Sequence, residues 1–328
     1  MNYMRHFYKF SLLLQQKIDE VWLLIVSYNI PMKLSIIIPT FNNQKGLEKC
    51  VEKVDEGLNV LGFESEIIIV FNGLKQKIQN PKSKILIKPS KSEGKSKIQT
   101  LKNIKNEGFA GACNQGAEKA KGEYLLFLND DCFLEKNTLT EMVKFLDKNQ
   151  KITATQPIIF SGIAASPTAP RNDKEIGYVV NLKAGKASVT TGEQSLEGLK
   201  VNRLTSSKVN IFEQGWVYGL SGTCLMIRKK IFEEIQGFDA GFHSYLEDVD
   251  LFIRLAKKNY YYSPTLTVSC FHEHMTTSSK MGNYKQKQDF KNWIRIIIKN
   301  YPFNFILKNF FSLFIERLRN LNGVLKSI

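Results

Sequence analysis

At 328 residues, 43% of them hydrophobic and 23% charged, the chain carries enough apolar material for a substantial core, which excludes disorder as its main state and predicts a globular domain with an appendage. Its formal charge of +15 suggests a polyanionic partner and is unevenly spread: residues 75–105 hold ten Lys against Glu93 alone, and residues 280–328 hold ten Lys or Arg against Asp289 and Glu316. The first stretch lacks the interleaved aromatics of a nucleic-acid binder, whereas the second mixes its charge with Trp293, Ile296, Phe303, Phe310, Phe311 and Phe314, so an anionic membrane surface is expected and nucleic acid is not.

Residues 1–32 precede the first strong strand and read as an extension. The apolar run Val21 to Val26 is short and no small-residue cleavage site follows it, so no secretory signal is expected. From Leu34 short apolar runs alternate with helical patterns, the signature of an α/β domain with a mixed, largely parallel sheet. Strands are predicted at Leu34–Ile38, Glu66–Phe71, Ile85–Ile87 and Tyr124–Leu128. Helices are predicted with Leu47, Cys50, Val51, Val54 and Leu58 on one face, and from Gly111 to about Ala120. Residues 160–215 lack a clear period and read as a long irregular excursion with room for a hairpin, of the kind that serves as a functional loop. Regular structure resumes over Tyr218–Ile227, followed by a short helix, the Gly237-Phe238-Asp239 turn, a helix opening at Glu247 and a strand through Leu266–Cys270. The main domain is bounded at 33–278, and residues 279–328 are expected to form basic amphipathic helices. Neither end holds an uninterrupted run of about 20 apolar residues, so peripheral attachment is expected rather than a spanning helix. The five cysteines are scattered without metal or redox spacing and read as reduced thiols of a cytoplasmic protein.

Four local patterns carry chemistry. The strand Leu125–Leu128 delivers Asn129, Asp130 and Asp131 at its tip; such acids suit Mn²⁺ or Mg²⁺ bridging a diphosphate, although acids at strand ends also serve as turn formers. Glu247, Asp248 and Asp250 open a helix, where they either stabilise its dipole or present one carboxylate as a general base. His272 and His274 follow a strand on one face; His272 makes sense as a metal ligand only if the acids near residue 130 share its site. The run Asn106-Glu107-Gly108-Phe109-Ala110-Gly111-Ala112-Cys113-Asn114 sets glycines and small residues before a helix, a turn that lets backbone N–H groups approach phosphate.

In their order these segments resemble the large family-two glycosyltransferases, particularly the bacterial rhamnosyltransferase-like branch. The resemblance is carried by Ile36 through Asn42, Asn106 through Asn114, Asn129-Asp130-Asp131, Ser221 through Arg228, Gly237-Phe238-Asp239, Tyr245 through Leu251 with Arg254, and His272, and it covers residues 33–300. It implies a GT-A, Rossmann-like fold and an inverting, metal-dependent transfer from a nucleotide sugar (UDP-, dTDP- or GDP-linked) to a glycan or lipid-linked acceptor at the inner membrane face. Carried over by position, Pro39, Thr40, Phe41 and Asn42 line the nucleotide pocket with Asn106, Gly108, Phe109, Asn114, Asn129 and Asp130 nearby. Asp131 holds the metal, helped by Asp130 and His272; Asp248 is the base, with Glu247 beside it. Two departures stand out. Relatives carry an Asp after the second strand that reads the nucleotide base, where this chain has Phe71-Asn72, leaving Asn72 to substitute or Phe71 to stack. Asn129 replaces the first acid of the usual triplet. These changes motivate the competing reading of a non-catalytic carbohydrate- or nucleotide-binding relative. The Gln-x-x-Arg-Trp element of processive relatives is absent, so single addition is expected; self-association is left open.

Overall fold

The computed structural model describes residues 15, 17, 32–59, 62–73, 96–161, 174–190, 210–273 and 283–326. The strand expected at Ile85–Ile87 and the second histidine, His274, lie outside them, as do nearly all of residues 1–31.

The fold opens with β1 (Leu34–Thr40), α1 (Gln44–Leu58), β2 (Ser65–Phe71), β3 (Ser96–Lys102), α2 (Gly108–Lys119) and β4 (Tyr124–Leu128). It continues through β5 (Cys132–Leu134), α3 (Thr138–Lys148), β6 (Ile152–Thr155), β7 (Pro157–Ser161), β8 (Lys174–Glu175), β9 (Gly177–Asn181), β10 (Lys186–Thr190), α4 (Ile211–Gln214) and β11 (Trp216–Gly219). The last part holds β12 (Cys224–Arg228), α5 (Lys229–Glu234), α6 (Glu247–Lys257), β13 (Tyr261–Tyr262), β14 (Thr265–His272), α7 (Tyr284–Asn300), α8 (Phe303–Lys308) and α9 (Phe310–Lys326). A seven-stranded sheet runs β13-β6-β12-β4-β1-β2-β3, in which β1, β2, β3 and β4 are mutually parallel and β12 is antiparallel to both its neighbours. The third parallel strand is therefore Ser96–Lys102, drawn from the lysine-rich stretch. Its polar composition hides it, because it pairs with β2 alone at the sheet edge.

Both faces of this sheet are covered, which is why β1, β2 and β4 read as near-continuous apolar runs. Ile37, Ile68, Val70, Leu125 and Phe127 face a cluster with α2 and α6, while Ile36, Ile38, Ile67, Ile69, Leu126 and Leu128 face α1 and α3. The parallel strands end together at Thr40, Phe71 and Leu128, the edge of an open α/β sheet where ligands collect.

The described residues of the excursion form regular structure. β9 forms an antiparallel sheet with β10 and β11, and β8 joins the four-stranded sheet β5-β14-β7-β8. The regular structure expected over Tyr218–Ile227 is β11 and β12, which belong to different sheets and are separated by the loop around Ser221–Thr223.

α7 is not a loose tail. It buries Asn292, Trp293, Ile296 and Asn300, and its polar ends grip the catalytic body. Asp250, fully buried, accepts hydrogen bonds from Arg254 (2.8 Å), Lys299 (2.9 Å) and Asn300 (2.8 Å). Arg254 in turn donates to the carbonyls of Ile235 and Gly237, and Asp239 accepts from Arg295 and Lys299. α9 packs along α7, and its Arg317 lies over the Trp293 ring and donates to the Gly185 carbonyl in the β9–β10 turn. Among the described residues no helix is long and apolar enough to cross a membrane.

Burial alone would raise the pKa of Asp239, but hydrogen bonds from Lys299, Arg295 and the Gly241 N–H override it and hold the carboxyl at about 2, against 3.8 for a free Asp. A depressed acid stabilises the fold above its unfolded pKa and loses that contribution as pH falls through the folded value. Asp239→Asn should therefore cost about 1–2 kcal/mol at neutral pH, discounted for the part-exposed cations, and the difference from wild type should vanish between about pH 4 and pH 2. Urea unfolding across that range measures it.

Candidate active site

A cleft of about 520 Å³ opens where β1, β2 and β4 end, and it is closed on the other side by β8, the β9–β10 hairpin, the start of α6 and the start of α7. Its floor begins with Asn129, Asp130 and Asp131, set between β4 and β5. Asp130 is turned back into the protein: its carboxylate accepts from Thr40 Oγ1 (2.6 Å) and Asn43 Nδ2 (2.9 Å), and the Phe41 N–H adds a third bond. Burial raises its pKa, those bonds and the neighbouring charge of Asp131 act in opposite directions on it, and it settles at about 6. Asp131 faces a different partner, His272 at the end of β14, with Oδ1 and Nε2 3.1 Å apart. The β14–β5 ladder places them there, since His272 pairs with Cys132, the residue after Asp131.

Asp248 and Glu247 lie at the first turn of α6. Asp248 Oδ2 accepts the Gly222 N–H (3.0 Å) and Oδ1 accepts the Val249 N–H (2.8 Å), so both oxygens are oriented by backbone donors. A Cβ at Gly222 would lie 3.5 Å from Asp248 Cβ, and this close passage of the Ser221–Thr223 loop supplies one of those donors. Burial raises the Asp248 pKa despite the two bonds. Glu247 is 7% exposed and its Oε2 has no hydrogen-bond partner among the described residues; burial, reinforced by the charge of Asp248, pushes its carboxyl well up.

The segment leading into α6 is strained. His243, Tyr245 and Leu246 all have φ between 63° and 69°, a region costly for residues with side chains. Asn292 of α7, fully buried, clamps it by donating to the carbonyls of Phe242 (3.1 Å), Ser244 (2.9 Å) and Tyr245 (2.7 Å). From the opposite side the start of α2 holds the same segment: the Ala110 N–H donates to the His243 carbonyl (3.1 Å), and the Phe109 N–H to Ser244 Oγ (3.2 Å).

Of the residues singled out in the sequence, Pro39, Thr40, Phe41, Asn106, Phe109, Asn129, Asp130, Asp131, Glu247, Asp248 and His272 meet in this cleft. Several expected roles need correcting. Asn42 is exposed outside the cleft, and it is the next residue, Asn43, that is buried against Asp130. Gly108 does not make room for phosphate. A Cβ there would fall 2.2 Å from the His243 carbonyl oxygen, and the N–H groups of residues 107–110 are taken by Asn72, Asn106, Ser244 and His243. Asn114 is spent on the Phe238 backbone, donating to its carbonyl (2.7 Å) and accepting from its N–H (3.0 Å). Asn72 reaches the cleft wall, but its amide donates to Asn106 and Gly108 and accepts from Asn103 and the Glu107 N–H, leaving nothing to read a base. Phe71 is buried in the core and does not stack in the cleft. Asp130, expected to help hold the metal, lines the cleft but has each oxygen accepting a side-chain hydrogen bond, from Thr40 and from Asn43.

The cleft also contains residues that sequence reasoning missed: Glu175, Tyr178 and Val189 from the excursion, and Tyr284, Lys285 and Asp289 from α7. The short β-branched and aromatic run Tyr178–Val180 before a glycine turn at Gly185 was a usable hairpin signal; nothing local marked Glu175 or Asp289. Burial and the charge of Asp248 raise the pKa of both.

Residues 35–236 match the model of a protein family described as Glycosyl transferase family 2. The chain is 30% identical over 156 residues to an uncharacterized glycosyltransferase of Rickettsia bellii, a match covering 48% of this chain and 19% of that one. It is 25% identical over 176 residues to the rhamnosyltransferase WbbL of Escherichia coli, covering 52% of this chain and 62% of that one. The chain thus spans less than two thirds of either relative. The solved structure of GalNAc-T7 with UDP, GalNAc and Mn²⁺ superposes with a TM-score of 0.58 at 17% identity, covering 82% of this chain and 48% of that one. That likeness is one of fold: a mixed α/β, GT-A arrangement.

Because Gly108 has φ +73° and abuts the His243 carbonyl, Gly108→Ala should destabilise the chain by about 2 kcal/mol or more, measured by urea unfolding.

Proposed function

This chain belongs to glycosyl transferase family 2, and on that premise we propose that its cleft takes a nucleotide-diphosphate sugar, UDP-, dTDP- or GDP-linked, and passes the sugar with inversion to a hydroxyl of a glycan or lipid-linked acceptor, one residue per encounter, in cell-surface polysaccharide synthesis. The observation that carries the reading is the placement of Asp248. Two backbone N–H groups fix its carboxylate in the same cleft as the Asp131–His272 pair.

The residues at that pair fit a divalent cation. A carboxylate oxygen and an imidazole nitrogen 3.1 Å apart offer one hard and one borderline donor, a set that suits Mn²⁺ or Mg²⁺ with diphosphate oxygens completing the shell. Such an ion, when bound, neutralises the charge that develops on the departing diphosphate. Everything else falls to the protein. Phe41 and Asn106 flank the nucleotide on the β1 side, and Asp130, anchored by Thr40 and Asn43, lies beside them.

On the acceptor side Asp248 removes the proton from the incoming hydroxyl. Its raised pKa makes it a stronger base than a free Asp, and transfer should fall off as acid protonates it. Glu247, whose Oε2 has no hydrogen-bond partner among the described residues, is pushed toward its neutral form by burial and by the charge of Asp248, which favours placing the negative charge on Asp248. A base facing the sugar opposite the leaving group gives a single displacement and hence inversion.

Attachment to an anionic membrane surface at the inner face of a cell membrane is supported by α8 and α9. Phe303 and Leu307 on α8 and Phe311, Phe314, Leu318 and Leu325 on α9 are all 47% exposed or more, and the α9 residues recur at the three-, four- and seven-residue spacing of one helix face. Lys308, Arg319 and Lys326 accompany that stripe in sequence.

A thermal-shift panel of UDP, dTDP and GDP with and without Mn²⁺ should single out one nucleotide whose stabilisation needs the ion. With the corresponding sugar donor, Asp248→Asn should lower turnover by 10²-fold or more while leaving the nucleotide shift intact, and an equal loss of both would count against Asp248 as the base. Flotation with phosphatidylglycerol vesicles should show salt-sensitive binding that Phe311→Ser with Phe314→Ser weakens; binding unchanged by those substitutions would remove α9 as the docking face.

A further inference from the structure

Three cysteines far apart in sequence meet beneath the cleft. Cys132 opens β5, Cys224 opens β12 and Cys270 lies two residues before the end of β14; their Sγ atoms all lie within 4.8 Å of one another, and all three residues are at most 1% exposed. Their separations along the chain match no metal motif, which is why the sequence reads them as unrelated thiols. The spacing in space is another matter. With a metal–sulfur bond of about 2.3 Å, three thiolates around one ion stand about 3.8 Å apart in a tetrahedral site and about 4.0 Å in a trigonal one. A triangle with no side above 4.8 Å needs only small side-chain adjustments to close on an ion.

We propose that Cys132, Cys224 and Cys270 form a site for one thiophilic divalent ion of the Zn²⁺ or Cd²⁺ kind, separate from the hard-cation pair Asp131–His272. Sulfur ligands select against Mn²⁺ and Mg²⁺, so the two sites sort their ions by softness. Binding forms three metal–sulfur bonds and releases whatever protons the three cysteines still carry, with no change of oxidation state. β12 belongs to the central sheet, whereas β5 and β14 belong to the four-stranded sheet, so the ion would tie two sheets together at their junction. The tie lies directly below the cleft: Cys132 follows Asp131, Cys224 follows Thr223, and Cys270 stands two residues before His272, so the ion's way in is through the cleft floor.

The full chain, reduced and kept in excess Mn²⁺ to occupy the cleft, is titrated with Cd²⁺. One thiolate-to-cadmium charge-transfer band saturating at one equivalent, one cadmium per chain by native mass spectrometry and a raised melting temperature are expected. Cys224→Ala should weaken that binding at least 100-fold and Cys113→Ala, in α2, should not; Cys132→Ser serves as the second variant should Cys224→Ala fail to fold. The proposal is overturned by the absence of a one-equivalent band in wild type or by equal loss in Cys113→Ala. A count below five free thiols after metal removal and denaturation would instead reveal a disulfide, and would overturn it equally.

Discussion

Asp250 has no contact with water, and an ionised carboxylate in that position is tolerable only because Arg254, Lys299 and Asn300 converge on it. Arg254 lies one turn further along α6, while Lys299 and Asn300 come from α7, so the ion cluster is also the joint between those helices. Removing any partner would leave a buried charge uncompensated, which fixes how α7 lies across the catalytic body. From that placement follow the position of Asn292, the shape of the strained loop 243–246 and the angle at which α6 presents Glu247 and Asp248. The orientation of Asp248 thus depends on a salt-bridge cluster on the far side of its own helix.

The start of α2 illustrates how a familiar sequence pattern can be put to a different use. Glycines before a helix suggest anion binding, because free N–H groups and the helix dipole converge there. Here the donors of residues 107–110 are taken by Asn72, Asn106, His243 and Ser244, and the glycine lets the carbonyl of His243, in the loop that leads into α6, approach closely. The turn is a socket for protein backbone. Asn72, expected to read a nucleotide base, is one of the groups that fill it.

What could be read from the sequence was what depends on neighbours along the chain. Ile36–Ile38 and Leu125–Leu128 announce buried parallel strands, the acids that follow Leu128 and open α6 are visible as strand-tip and helix-start patterns, and their order gave the fold. What stayed hidden depends on partners remote in sequence. Asn43 looks like an ordinary helix cap until β4 brings Asp130 to it, and Glu175 and Asp289 acquire meaning only when β8 and α7 fold over the cleft. The three core thiols are the extreme case, separated by dozens of residues and carried by two sheets. β3 escaped for the reverse reason: as an edge strand it needs little apolar character, so its lysines masked it.

The match to the family spans residues 35–236, yet Asp248 and His272 fall beyond it, and Asn292, which steadies the loop before Asp248, falls further still. The portion that defines kinship is therefore not the portion that completes the site. Exchange of this unit between proteins, whether by recombination in nature or by a designer cutting at the edge of the recognised segment, would carry over Asp131 with the β1–β4 side of the cleft and leave behind His272, Asp248 and the residues that hold them. The unit of inheritance that keeps the chemistry intact reaches at least to the end of α7.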